Sequence, residues 1–412
     1  MNLLKTSFYT SVATAISFIS GFIVTKVVAV KIGPSGLAYL GQFQNTTSIL
    51  IMFATGAIAG GVVKYLAQYK NDSEKRQQII NNACLVVFCC SFVVSLFVVT
   101  ASGYLSRIAF KTSEFRIIYF LFGILTMTVA FNVIFAAILN GLQEIRRLTI
   151  INICGSLIGI CLTVLFAYYF GVKGVLISST ALSVIIFSIN LYILNKAGII
   201  WKPDFSKWDI PVLKMLSGFT LMAIVSGLLI PAIQILVRDK IIRTFTIEEA
   251  GFWQATNKIS DYYLTFITMV LSIYYMPKLS ELHIRADLRK EILKAYKIIL
   301  PAVAAIAVLI WLSRDLIIHV LFTPSFQPMK PLLSFQLLGD VFKVGSWLLA
   351  NVMIAKAMIR TYIVTEFIFA ATYVALCFFL TNQYGLIGAT YGFCINYGLY
   401  WVVMAFIIKS KV

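Results

Sequence analysis

The sequence predicts an all-α polytopic membrane protein of about twelve transmembrane helices, built as two parallel-repeat six-helix lobes around a central cavity. Three observations carry this prediction. Of the 412 residues, 60% are hydrophobic and 12% charged, with a mean hydropathy of +0.92, which excludes a soluble fold. Apolar runs long enough to cross a bilayer recur, with short polar breaks, from Phe8 to the C-terminus. Landmarks of the first half return about 214 residues later.

Taken in order, the first run, 8–30, is too long for a signal-peptide core and lacks a small-x-small cleavage site, so it reads as a retained helix with Lys26 near its end. The second, 38–63, opens at Gly36 and contains Gln42, Gln44, Asn45, Thr46, Thr47 and Ser48, too polar a series to face lipid. It is expected to line the cavity, its amides bonding a ligand or bridging helices; Lys64 follows it. Runs 79–102 and 117–140 are apolar, and 148–170 and 174–195 are introduced by Arg146 and separated by Gly171-x-x-Gly174. Pro231 interrupts the seventh run, 213–237, and removes a backbone hydrogen bond there, giving a kink or hinge. The eighth, 250–276, opens at Gly251 and carries Lys258, Asp261, Tyr262 and Tyr263. After 292–313 comes 331–355, with Asp340 and Lys343; then 362–381, preceded by Arg360 and carrying Glu366; then 386–408, reached through Gly385-x-x-Gly388.

Gly36 and Gly251, Arg146 and Arg360, and the two Gly-x-x-Gly turns share one spacing, which divides the chain into lobes 1–200 and 208–412. Six spans per lobe give both the same orientation, a parallel repeat whose ligands belong between the lobes. The repeat is asymmetric in charge: Asp261, Asp340 and Glu366 fall opposite Thr46, Thr126 and Asn152.

A charge at the bilayer centre costs about 2.5–3.5 kcal/mol on insertion scales, so Lys26, Lys258, Asp261, Asp340, Lys343 and Glu366 are expected to face a polar interior. Lys258 and Asp261, and likewise Asp340 and Lys343, stand three apart on a helix and can meet. Each pair reads either as a self-neutralising structural bridge or as a network that rearranges with protonation, Na+ or an anionic ligand. Lys26, Lys64 and Glu366 lie near helix ends, where snorkelling to the interface is the alternative to a role in the cavity. Tyr39, Tyr262 and Tyr263 offer stacking surfaces.

Loops on the side of the N-terminus hold 21 Lys and Arg and the opposite loops 10, counting Arg238, Lys240 and Arg243 among the latter. Both termini are therefore expected in the cytoplasm. The net charge of +18 follows from such loops, and nucleic acid is not an expected partner, since the basic residues are scattered. Seven cysteines in apolar spans form no Cys-x-x-Cys pair and read as small hydrophobes. His283 and His319 lie outside the spans and offer no metal cluster. No nucleophile constellation or phosphate-cradling glycine loop is present, and no loop is large enough for an enzymatic module.

The segments KIGPSGL (31–37), GVVKYLAQY (61–69), SDYYLTF (260–266), LPAVAA (300–305), QLLGDVFKVG (336–345) and IAKAMIRTYIVTE (354–366) resemble the Wzx-type bacterial flippases for polyprenyl-diphosphate-linked oligosaccharides, nearly end to end. That family, with O-antigen and lipid III branches, belongs to the multidrug/oligosaccharidyl-lipid/polysaccharide exporter superfamily. The resemblance implies an inner-membrane transporter, not an enzyme, that works by alternating access without a cofactor, coupled to H+ or Na+ antiport. It implies as partners an undecaprenyl-diphosphate-linked oligosaccharide, membrane lipids, and an O-antigen polymerase with its chain-length regulator. Lys26, Lys64, Lys258 and Lys343, with Gln42, Asn45 and Tyr262, are the expected substrate contacts, and Asp261, Asp340 and Glu366 the ion-coupling groups. Lys258 departs from the lipid III branch and favours an O-antigen unit. A drug or organic-cation antiporter of the same superfamily is the alternative, disfavoured because lysines match the carboxylates in number within the spans.

Overall fold

Helix starts are written locally. Asp72 accepts from the Lys75 N–H (3.0 Å), Asp209 from Val212 N–H (3.3 Å) and Thr246 from Glu249 N–H (3.2 Å), each satisfying an N–H that the first turn leaves without a helical partner. The computed structural model describes residues 3–199, 208–218, 220–282, 284–356 and 358–411. His283 lies outside them. Among the described residues the chain is helical, without strands.

Among the described residues these helices follow one another: α1 Leu3–Lys31, α2 Pro34–Ala54, α3 Ala59–Gln68, α4 Ser73–Thr100, α5 Ser102–Phe110, α6 Arg116–Gly141, α7 Ile145–Lys196, α8 Ile210–Ser217, α9 Thr220–Thr244, α10 Ile247–Val270, α11 Met276–Glu281, α12 Arg285–Leu312, α13 Arg314–Leu321, α14 Lys330–Ala355, α15 Ile359–Tyr384 and α16 Ile387–Lys411. Among the described residues eight segments are long and apolar enough to cross a membrane, and α2 with α3, bent by 50°, makes a ninth. Gly171 splits α7 into two, and the more polar α9 and α10 complete the expected set of about twelve.

Three expectations shift. The run 38–63 is not one rod: the chain turns at Thr55–Ala57, where Gly56 (φ 60°) and Ala57 (φ 52°) adopt left-handed backbone. The seventh helix does not stop at 237 but continues to Thr244. Arg238, counted as a loop residue, is thereby carried into the packing, 0% exposed, its guanidinium over the Trp253 ring and donating to Gln254 Oε1. Pro231 sits inside α9, which runs through it as one helix.

The helix order of the first half recurs in the second. α4 and α12 are both 28 residues long, and α6 and α14 both 26, opening at 116 and at 330, 214 residues apart. Gly171 (φ 55°, ψ −134°) is matched by Gly385 (φ 71°, ψ −155°), a conformation that side chains with a Cβ resist. Just beyond, a Cβ on Gly174 would sit 1.9 Å from the Phe166 carbonyl oxygen, and one on Gly388 2.1 Å from that of Leu380. Both tight corners are built alike.

By packing, the chain divides into two compact units, Met1–Ile32 with Tyr39–Ile235, and Gly33–Ala38 with Leu236–Val412. In the first, Val62 and Leu66 of α3, Ile80 and Val87 of α4, and Ile134 and Ile138 of α6 form a core. In the second, α14 is flanked by α12 and α16, with Leu348, Val352, Met353, Tyr400 and Met404 at the centre. Large apolar side chains such as Phe92, Val93, Leu96 and Phe97 of α4 and Leu309 and Leu312 of α12 stay exposed, the surface of a helix that meets lipid.

Candidate functional site

In the second unit Asp340 and Lys343 stand on α14, against which α10, α15 and α16 pack. Asp340 is fully buried. Its Oδ2 accepts from the Ser260 hydroxyl (2.5 Å) and the Tyr263 hydroxyl (2.7 Å), two residues three apart on one face of α10. Hydrogen bonds to an ionised acceptor are the strong kind, and two of them offset part of the carboxylate's desolvation. Its Oδ1 has no hydrogen-bond partner among the described residues, nor do Gln336 Oε1, one turn earlier on α14, and Asn396 Oδ1 on α16.

Lys343, half-buried, turns the other way. Its ammonium lies over the rings of Trp347 (5.0 Å), Tyr397 (5.4 Å) and Phe393 (5.6 Å). Trp347 is one turn further along α14, and Phe393 and Tyr397 are one turn apart on α16, so the two helices form a three-ring cage. A desolvated cation on an aromatic face gains about 2 kcal/mol or more.

The two ion pairs that spacing allows therefore do not form: neither Asp340–Lys343 nor Lys258–Asp261 is paired among the described residues. Asp340 is taken by α10 and Lys343 by α16. Asp261, about 100° around α10 from Ser260, is exposed, whereas Lys258 and Tyr262 are half-buried. Glu366, half-buried on α15, accepts at Oε1 from the Tyr400 hydroxyl (2.8 Å) and not from Arg360.

The remaining expected residues lie in the first unit. Lys26 is half-buried on α1, and Lys64 is exposed on α3 with its ammonium 5.1 Å from the Tyr65 ring. Gln42 is 2% exposed, and Asn45 Nδ2 donates to Gln234 Oε1 of α9 (2.9 Å), so of the two roles open to these amides Asn45 performs the helix bridge. Thr46, Thr47 and Ser48 bond back to carbonyls of their own helix. Thr126, opposite Asp340 in the repeat, is buried and bonds to the Phe122 carbonyl (2.8 Å). The first unit thus satisfies internally a position that the second fills with a charge.

Sequence reasoning missed Ser260, the cage rings Trp347, Phe393 and Tyr397, and the partner of Glu366. A signal existed: Lys343/Trp347 and Phe393/Tyr397 are four apart, and Ser260/Tyr263 three apart. Among the described residues no three His, Cys, Asp or Glu side chains are grouped to hold a metal ion. The oxygen groups at Gln336, Asp340 and Asn396 are of the hard type that suits a proton or an alkali cation.

The fold has counterparts of known structure. It superposes on an inward-facing multidrug resistance MATE family transporter of the MOP superfamily with a TM-score of 0.78 at 16% identity, covering 96% of this chain and 95% of that one. An outward-facing MATE family transporter gives 0.73 at 17% identity, over 99% and 95%. At the level of sequence, the lipid III flippase of Escherichia coli (strain K12) is 31% identical over 410 residues, 97% of each chain. Residues 3–283 match the polysaccharide biosynthesis protein family. The chain belongs to that family, and the resemblance to Wzx-type flippases holds. It is a multi-pass membrane protein whose relatives are named as a flippase and as transporters rather than as enzymes.

Proposed function

We propose that the protein moves a polyprenyl-diphosphate-linked oligosaccharide, an O-antigen repeat unit, from the cytoplasmic to the periplasmic leaflet of a bacterial inner membrane by alternating access of its lobes, 1–200 and 208–412. The observation that carries this reading is the state of Lys343: a half-buried ammonium held by rings, with no carboxylate paired to it among the described residues. A ring cage holds a cation less tightly than a buried anion does, so a diphosphate entering the unit can draw the lysine off the rings into a charge-assisted contact.

Asp340 is the coupling group in this reading. With one oxygen fixed by Ser260 and Tyr263 and the other without a donor, it can take up H+ or Na+ at Oδ1 without disturbing the first two bonds. Uptake removes a negative charge one turn from Lys343 and changes how firmly the unit holds an anion. Glu366, tied to Tyr400, is the second candidate. An O-antigen polymerase and its chain-length regulator would receive the flipped unit.

Two other readings have support of their own. The relative named lipid III flippase aligns nearly end to end, which favours lipid III as the glycan lipid; Lys258 favours an O-antigen unit. The fold is shared with multidrug transporters, but a caged lysine suits an organic cation poorly. The test is transbilayer movement in proteoliposomes of undecaprenyl-diphosphate carrying an O-antigen unit or the lipid III glycan, for wild type, Asp340→Asn and Lys343→Met, with and without H+ or Na+ gradients. Movement lost in both variants at normal folding supports the reading, and the glycan that moves names the substrate. Export of a small organic cation with no lipid-linked glycan moved sinks it.

A further inference from the structure

Apart from the intramembrane charges, the second unit carries a cleft of 580 Å3 with apolar walls, Ile292 of α12, Leu349 of α14 and Ile408 of α16 among them, and with Arg285, Arg289 and Lys409 at its mouth. Along α12 the lining residues 285, 289, 292 and 296 follow one helical stripe that is basic at its end and apolar further in. Tyr296 donates its hydroxyl to the Gly345 carbonyl (2.6 Å) and accepts from Trp401 Nε1 (2.9 Å), so these wall groups already have partners. None of Arg285, Arg289 and Lys409 forms an ion pair among the described residues. The polar character of the cleft is that of its three cations.

The first unit has a cleft of similar character but on a different face of the repeat, 790 Å3, between the two halves of α7. Ile150, Ile189 and Ile193 form its wall and Arg146, Arg147 and Lys196 its mouth. There Glu144 pairs with Arg147 (3.0 Å), while Arg146 and Lys196 form no ion pair among the described residues. Lys196 is the last residue of α7, and Lys409 lies in the last turn of α16.

We propose that the α12–α14–α16 cleft, and the second basic-mouthed cleft on α7, each hold the phosphate headgroup and upper chain of a resident anionic phospholipid. Three cations at the mouth complement a phosphate, and an apolar wall of this size takes the first part of a hydrocarbon chain. The occupant is a membrane phospholipid and not the transported lipid, because a cleft with a basic mouth and an apolar wall is present in each unit, on different helix faces, whereas Asp340 and Lys343 have no charged counterparts in the first. The inference rests on the proposed orientation only for naming the leaflet, the cytoplasmic one.

The test is native mass spectrometry of the full chain titrated with phosphatidylglycerol or phosphatidylcholine. Arg285→Gln/Arg289→Gln/Lys409→Gln should weaken retention of one phosphatidylglycerol on the order of a hundredfold, at roughly fivefold per basic residue. Lys290→Gln/Lys294→Gln/Lys297→Gln, the same charge change on α12 outside the cleft, should leave retention unchanged. Ala405→Trp, which fills the wall and keeps every charge, should lower it without altering the fold's thermal midpoint. Equal weakening in both triple variants, equal retention of phosphatidylcholine, or displacement by undecaprenyl diphosphate at lower concentration each overturns the proposal. If the wild type moves no lipid-linked glycan but still discriminates phosphatidylglycerol in this way, the flippase reading falls and the lipid site stands.

Discussion

A carboxylate buried among helices is stable only as far as donors reach it, and Asp340 has donors on one oxygen alone. Removing the Tyr263 hydroxyl takes away one of two bonds to a charged acceptor. Tyr263→Phe should therefore lower stability by about 1–3 kcal/mol, read as a reduced thermal midpoint in detergent. In Asp340→Asn the cost of the missing bond should be smaller, because the group that demanded it is neutral; a deficit in Tyr263→Phe that persists in full in the double variant would contradict the coupling. Lys343 makes a second test. Trp347→Leu removes the nearest ring and should cost about 0.5–2 kcal/mol, while Lys343→Met in the same cage should cost less, since the rings then hold an apolar chain. Sequence alone placed both charges in the membrane and on one helix face, where they could meet. Spacing along a helix limits which neighbours are reachable, and it is silent on what the facing helices present. Here α10 presents hydroxyls and α16 presents rings, and both outcompete the intrahelical pair.

At the scale of the elements, the spans were legible because each needs about 20 apolar residues and is closed by polar or glycine-containing breaks. The misread ends have local causes. Ile51–Ala59 is apolar enough to continue a span, and its bend depends on left-handed backbone at Gly56 and Ala57 that composition does not reveal. Arg238 was read as a loop residue because a guanidinium in a helix core is rare; Trp253 and Gln254 of α10 supply the ring and the amide oxygen that admit it. The paired corners lead to a prediction about the repeat. Gly171 and Gly385 share a backbone conformation that costs a side chain of order 1–3 kcal/mol, so Gly171→Ala and Gly385→Ala should each lower the thermal midpoint by comparable amounts. Gly174→Ala and Gly388→Ala should be worse, since the new Cβ would overlap a carbonyl oxygen of the preceding helix. A strong effect in one half with none in the other would mean that the corners are alike in shape but not in what depends on them.

For the whole molecule the decisive quantity is orientation, because a transporter's direction has meaning only relative to the compartment holding its substrate. The distribution of Lys and Arg sets it. The side of the N-terminus holds 21 against 10, and moving Arg238 from the opposite loops into the helix packing widens the bias. Most of the excess sits at particular ends: Lys64, Lys70, Lys75 and Arg76 around α3 and α4, Arg146 and Arg147 at the start of α7, and six residues from Lys278 to Lys297. Cationic ends of this density are stabilised at the anionic cytoplasmic surface by about 1 kcal/mol per residue near the headgroups, so the inverted arrangement would be heavily disfavoured. A reporter that functions only in the cytoplasm should accordingly be active when fused after Lys411 and silent when inserted between Lys111 and Arg116, at the turn from α5 to α6. A reporter that functions only in the periplasm should show the reverse. Activity in the opposite pattern would place Arg285, Arg289 and Lys409 in the outer leaflet and would reverse the direction in which Lys343 could deliver a diphosphate, so this single measurement constrains both the transport reading and the lipid site.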